Sequence, residues 1–153
     1  MADEEAARHL GGPQDPSTAW RAMATMCGSW SLQGFGMYSV IEKSSGAWVG
    51  RVGPWRPHDW PGTEVGWGVI RSRWGLGYAF EAAVACIDHA VLHLGWTDII
   101  HLIAPDNHRS QALARRLGAE NHGPAALPGP LRVHPVEIWR QSANQWAERR
   151  PVI

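Results

Sequence analysis

The chain has 153 residues, a length suited to one domain with a single core. Fourteen basic and fourteen acidic residues give zero net charge, which removes the electrostatic footprint of a nucleic-acid or anionic-membrane binder. No uninterrupted apolar run reaches membrane-spanning length, and the acidic start Asp3-Glu4-Glu5 is unlike a signal peptide.

Ala2 to Leu10 reads as a short helix stopped by Gly11-Gly12, and Pro13 to Pro16 as a connector. Ser17 is the expected N-cap of a helix to about Leu32, with Trp20, Met23, Cys27 and Trp30 on one face. Gly34 and Gly36 break it. Met37 to Glu42 and Ala47 to Val52 are expected strands, joined by a hairpin turn at Lys43-Ser44-Ser45-Gly46. Trp55 to Gly62 has no periodicity and reads as a loop. Next, Glu64, Gly66, Gly68 and Ile70 alternate with Val65, Trp67 and Val69, the period of a strand. After Trp74-Gly75-Leu76-Gly77-Tyr78-Ala79, residues Phe80, Val84, Ile87 and Val91 recur at helical steps, and Gly95 ends the helix. Asp98 to Ala104 is almost wholly apolar, as a strand covered on both faces would be. Pro105-Asp106 turns into a helix from about Asn107 to Leu117, closed by Gly118. His122 to Pro130 reads as a loop, Leu131 to Arg140 as the last strand, and the tail from Gln141 as polar and weakly ordered.

This order predicts an α/β (α+β) fold with a mixed, mostly antiparallel sheet. One parallel, right-handed βαβ unit runs from the Glu64 strand through a helix to the Asp98 strand. Residues 1–153 form a single domain in this reading. Cys27 and Cys86 lack CxxC spacing and read as reduced core residues of a cytoplasmic protein.

The chemistry concentrates in Glu64 to Ala79. Small residues at a loop-to-helix junction let backbone N–H groups approach an anion, and the first helical turn adds unpaired donors and partial positive charge. That spacing predicts a phosphate site. Arg71 and Arg73 either reach the phosphates or form a solvated pair. His89 and His93 stand four apart on a helix, but no third ligand accompanies them, so no metal site is expected. A strand–GxG–helix run also opens a dinucleotide-binding domain. Here Phe80 stands where the third glycine would be, and a β-hairpin comes first.

With Glu64-Val65-Gly66-Trp67, then Trp74-Gly75-Leu76-Gly77-Tyr78-Ala79, then Asn107, Ser110 and Leu117-Gly118, the chain resembles the GNAT N-acetyltransferases. The likeness is to the branch containing the ribosomal-protein-alanine N-acetyltransferases, over roughly residues 34 to 140. The resemblance implies a GNAT fold with helices on both faces of the sheet and acetyl-CoA bound where the two parallel strands splay apart. It implies pyrophosphate binding by the backbone of Trp74, Gly75, Leu76, Gly77, Tyr78 and Ala79, with Arg71 nearby. Backbone groups at Val69 and Ile70 are implied to hold the pantetheine arm, with Asn107 bonding to it and Ser110 close. The implied reaction is direct attack of a primary amine, of a protein N-terminus or a small molecule, on the acetyl thioester. Glu64 is the carboxylate implied to take the amine's proton through water. A strand-end surface charge is its bland alternative, as an N-cap is for Asn107.

Two departures accompany the likeness. Many GNAT enzymes carry a tyrosine acid seven residues after the Asn, and Ala114 stands there, which leaves Ser110 as the candidate acid. The family's first strand and helix have no counterpart, so the chain is expected to be an N-terminally shortened copy. That would leave the strand at Met37 to Glu42 as an open edge, with homodimer formation or self-association through it. A non-catalytic, degenerate acetyltransferase fold is the rival function.

Overall fold

The computed structural model describes residues 3–151. Helix α1 (Glu4–Ala7) and helix α2 (Pro16–Gln33) precede strands β1 (Tyr38–Ile41), β2 (Trp48–Trp55) and β3 (Glu64–Val69). Helix α3 (Tyr78–Leu92), β4 (Asp98–Ile103), α4 (His108–Arg116), β5 (Glu120–Ala125), β6 (Val136–Ser142) and α5 (Ala143–Arg149) follow. The six strands form one sheet in the order β1-β2-β3-β4-β6-β5. Every pairing is antiparallel except β3 with β4. This is the mixed sheet expected, with its one parallel βαβ unit.

Alternation along the strands separates two faces. Val52 and Val65 pack with Phe80, Val84, Ile87 and Ala90 of α3 in the main core. Arg51 and its register partner Gly68 look the other way, toward the α1 segment, where a Cβ on Gly68 would meet Leu10 at 3.4 Å. Gly53 is required by close approach: an added Cβ would lie 2.7 Å from the Gly36 carbonyl oxygen, because the connection from α2 to β1 crosses directly above it.

Several expectations need correction. The N-cap of α2 is Asp15, not Ser17; its carboxylate accepts from Ser17 N (2.8 Å) and Thr18 N (3.1 Å). Cys27 is exposed rather than core, and Trp20 and Met23 are 64% and 56% exposed. Cys86 is buried as expected. The predicted loop at 122–130 contains most of β5, an edge strand whose exposure tolerates Pro124 and whose register shifts between Asn121 and Pro124. The last strand is Val136–Ser142, and Gly129–Val133 before it is a short 3-10 turn. The expected helix over 2–10 shrinks to α1 followed by a turn, and Ala2 lies outside the described residues.

The tail from Gln141 is the largest correction. Gln141 is 1% exposed. Ser142 and Gln145 form a reciprocal capping box on α5. Trp146 then inserts into the main core, its Nε1 donating to Asp88 at 2.9 Å. Trp146→Ala should therefore cost about 3–5 kcal/mol, the usual loss for deleting a buried aromatic. Urea unfolding checks this, and a loss under about 1 kcal/mol would return the tail to a weakly ordered appendage.

Candidate active site

The glycine loop is held from several sides. Trp74 Nε1 donates to the Val69 carbonyl at 2.8 Å, folding the loop back on the end of β3. Arg73 pairs with Glu42 at 3.2 Å, and the Tyr78 hydroxyl donates to the same carboxylate. Gly75 and Gly77 have φ of +75° and +88°, which L side chains rarely adopt. Gly77 is the N-cap of α3 and supplies no side-chain acceptor, whereas Asp3, Asp15, Asn107 and Ser142 cap the other four α-helices. The opening N–H groups of α3 thus lack a capping side chain, and nothing lies within 4 Å of a Cβ built on Gly75 or Gly77.

Three guanidinium groups surround this turn. Arg71 reaches Glu5 at 3.3 Å, Arg109 stacks on the Trp74 ring at 4.2 Å, and Arg116 stacks on Phe80 at 3.6 Å. Sequence reasoning found only Arg71. Arg109 and Arg116 are seven apart, two turns of one helix, a signal that matters only once α4 is known to flank the loop.

The cleft lies where β3 and β4 part. Their ladder registers only Glu64 with Ile100, with Ile100 N donating to the Thr63 carbonyl at 2.9 Å. Beyond that point side chains bridge the strands. Leu102 N donates to Glu64 Oε1 at 3.2 Å, and His101 Nδ1 donates to the Val65 carbonyl at 2.7 Å. Trp67 lies against the His101 ring at 4.7 Å and donates from Nε1 to Ser110 Oγ at 3.1 Å. Ser110 N in turn donates to Asn107 Oδ1 at 3.2 Å, so Asn107 is indeed an N-cap.

Glu64, Asn107 and Ser110 line one cavity of about 510 Å³. Val69 and Ile70 line an adjoining apolar cavity. Leu76 points to solvent, 62% exposed. Glu64 is 8% exposed and accepts from Trp60 Nε1 at 2.6 Å, so the surface-charge alternative is wrong. Burial pushes its carboxyl up to about 7, against the two hydrogen bonds that favour the charged form. His101 was missed within an apolar strand. Burial pushes it down to about 4, which keeps it neutral, and Nε2 has no partner among the described residues. Ala114 belongs to a core cluster with Ile103, Ala119 and Trp139 and does not line the cavity.

A family model described as an acetyltransferase (GNAT) domain matches residues 1–120. The chain belongs to the GNAT acetyltransferase family. It is 31% identical over 87 residues to YkkB, an uncharacterized protein of Bacillus subtilis, across 56% of this chain. That match spans 51% of YkkB, about half its length. The crystal structure of an acetyltransferase from Agrobacterium tumefaciens is 27% identical with a TM-score of 0.78, covering 92% of this GNAT chain and 85% of that one. A ribosomal-protein-S5-alanine acetyltransferase of Vibrio fischeri, 17% identical with a TM-score of 0.67 over 93% and 85% of the two chains, shares the fold. Among the described residues, no helix is long and apolar enough to cross a membrane, and no group of three His, Cys, Asp or Glu could hold a metal.

The raised ionisation of Glu64 has a thermodynamic consequence. Between about pH 4.5 and about 7, the native chain keeps a proton that the unfolded chain has released. Folding stability therefore falls as pH rises through that window. Glu64→Gln stays neutral throughout, so its stability relative to wild type should rise between pH 5 and pH 8 in denaturant unfolding. Parallel pH profiles for the two proteins would show that Glu64 ionises normally.

Proposed function

We propose that this GNAT domain transfers an acetyl group from acetyl-CoA to a primary amine by direct attack. One observation carries the reading: the cavity opened by the parting of β3 and β4 holds the buried carboxylate of Glu64 with Asn107 and Ser110, and the far end of β3 runs into the glycine loop at the uncapped start of α3. Acetyl-CoA supplies the activated thioester, as is usual in this family. The N–H groups from Trp74 to Ala79, with Arg71 and Arg109, suit its phosphates by position and charge. Val69 and Ile70 continue the track toward the cleft, although the Val69 carbonyl is bonded to Trp74, the Ile70 N–H to Val49 and the Ile70 carbonyl to Arg73, and Asn107 and Ser110 flank it.

An α-amino acceptor titrates near pH 8 and reaches the site mostly charged. Glu64, ionising near 7, takes its proton through a water, and the neutral nitrogen then attacks the thioester carbonyl. The carbon–sulfur bond breaks as the carbon–nitrogen bond forms. The departing thiolate needs a proton, and Ser110, held by Trp67, is the candidate donor. The outer side of β1 remains an open edge, with Ile41 and Trp48 each 49% exposed, which supports self-association there.

Acetyl-CoA at a hundred times its Kd should stabilise the chain by about 2.7 kcal/mol. Gly77→Val should remove that shift, because valine is strained at φ +88° and its side chain enters the open space beside the N–H groups. An equal shift in the variant would sink the phosphate assignment. Glu64→Gln should lower kcat by roughly 10²–10⁴ at neutral pH, with the loss shrinking toward pH 9 where the amine arrives neutral. A small, pH-independent loss would assign Glu64 to positioning alone.

A further inference from the structure

We infer that Arg51 is the anion anchor for the acceptor, and that the amine acetylated here carries a carboxylate and an apolar substituent, as an apolar amino acid does. This rests on the acetyltransferase reading above.

Three described arginines are withdrawn from full exposure: Arg51, Arg73 and Arg140. Arg73 pairs with Glu42 at 3.2 Å and Arg140 with Asp98 at 3.3 Å. Arg51 has no carboxylate partner among the described residues. Its recorded bond is to Met26 Sδ at 2.6 Å, a weak acceptor for a cation. A guanidinium taken from water without a counter-charge is destabilising unless something supplies one. Its fork of donors matches a carboxylate bidentately.

Its placement fits an acceptor. Arg51 pairs in register with Gly68, on the same face of the sheet as Gly66 and Glu64. The Cβ position of Gly68 lies 3.8 Å from Arg51 Nε, and that of Gly66 lies 3.5 Å from Glu64 Oε1. Those glycines stand two apart on β3, about 7 Å along the strand. The cation and the proton acceptor therefore line one cavity, with Met37 Cε 3.0 Å from the Gly66 Cβ position and Leu10 Cδ1 3.4 Å from that of Gly68 as its flexible apolar cover. An α-amino acid carries its amine and carboxylate on one carbon, and the relay water toward Glu64 makes up the remaining length. Arg51 also borders the second cavity, of about 350 Å³, which shares Leu10, Met26 and Met37 with the first. Met23, Cys27 and Trp30 of α2 make that second cavity apolar, suited to the acceptor's side chain.

The test is acetyl-CoA turnover with leucine, methionine and phenylalanine, each against its amide. The acid should exceed its amide in kcat/KM by about 10–100-fold, the range of a charge-assisted bond. In Arg51→Gln that ratio should fall to near one, chiefly through KM for the acid, and Arg51→Lys should retain part of it. Equal use of acid and amide by wild type, or an unchanged ratio in Arg51→Gln, would overturn the anchor. Product binding separates this from the broader reading. N-acetylleucine should raise Tm in wild type and not in Arg51→Gln, and N-acetylleucinamide should do so in neither. If no amine is turned over and acetyl-CoA does not bind, but this contrast holds, the transferase reading fails and takes the acceptor role with it, leaving Arg51 as a carboxylate site alone. If amines are turned over and the contrast is absent, the anchor fails alone. Arg51→Met should match or exceed the wild-type Tm, since it removes an unpaired charge. A lowered Tm with an unchanged acid-to-amide ratio would make Arg51 a framework residue and overturn the proposal.

Discussion

The cleft depends on a strand pair that begins and does not continue. β3 and β4 share one register pair, Glu64 with Ile100, and then diverge. Diverging strands leave buried N–H and C=O groups that must find partners. Here side chains supply them: the Glu64 carboxylate takes the Leu102 N–H, and the His101 ring satisfies the Val65 carbonyl. Both side chains are drawn inward by that duty, and burial then moves their ionisation in opposite directions, Glu64 up to about 7 and His101 down to about 4. A carboxyl poised near neutrality and a histidine kept uncharged follow from one geometric fact. Trp67, against His101 and bonded to Ser110, fills the gap and ties it to the start of α4.

The mouth of the cleft is held more loosely than its floor. Glu5 reaches Arg71 and Arg109, and Arg8 and His9 reach Asp106, so the α1 segment spans from the end of β3 to the start of α4. Apart from His9, these groups are roughly half exposed or more, and exposed pairs contribute about 0–1 kcal/mol each. Ala7, at 2% exposure, is the segment's buried contact. The glycine loop differs. Glu42 receives both the Arg73 guanidinium and the Tyr78 hydroxyl, and the Trp74 indole closes on Val69. The hairpin of β1 and β2 therefore fixes the loop that presents the α3 N-terminus.

Local signals carried the centre of the chain and failed at its ends. β3, α3, β4 and α4 were legible because each has an unmixed period and a terminating glycine or Asn cap: Gly95, Asn107 and Gly118. β5 was hidden by Gly123 and Pro124, which signal a loop unless the strand is an exposed edge. α5 was hidden because one buried tryptophan in a polar stretch has no period, although Ser142 and Gln145 do spell a capping box. The face of Trp20, Met23 and Cys27 has helical spacing, but its neighbour is an open cavity rather than core. Glu64, Asn107 and Ser110, which line one cavity, stand in motifs that the sequence displays. Arg51, His101 and Arg109 do not, because their placement arises from cross-strand register and helix docking, which no spacing along the chain encodes.

Arg51 and Glu64 face one cavity, and attraction between them would be the simplest way to relieve both. The fold prevents it. Glu64 is tied at one oxygen to Trp60 and at the other to Leu102, and the Arg51 side chain lies over Gly68 with its guanidinium turned to Met26. The influences on Glu64 are burial and its two hydrogen bonds, and Arg51 is not among them. A direct pair would have held Glu64 ionised well below neutrality. Keeping the charges apart leaves the carboxylate basic and the guanidinium unsatisfied. Arg73 and Arg140, each partly covered, do have carboxylate partners, Glu42 and Asp98. At Arg51 the described residues offer a thioether and the wall of a cavity.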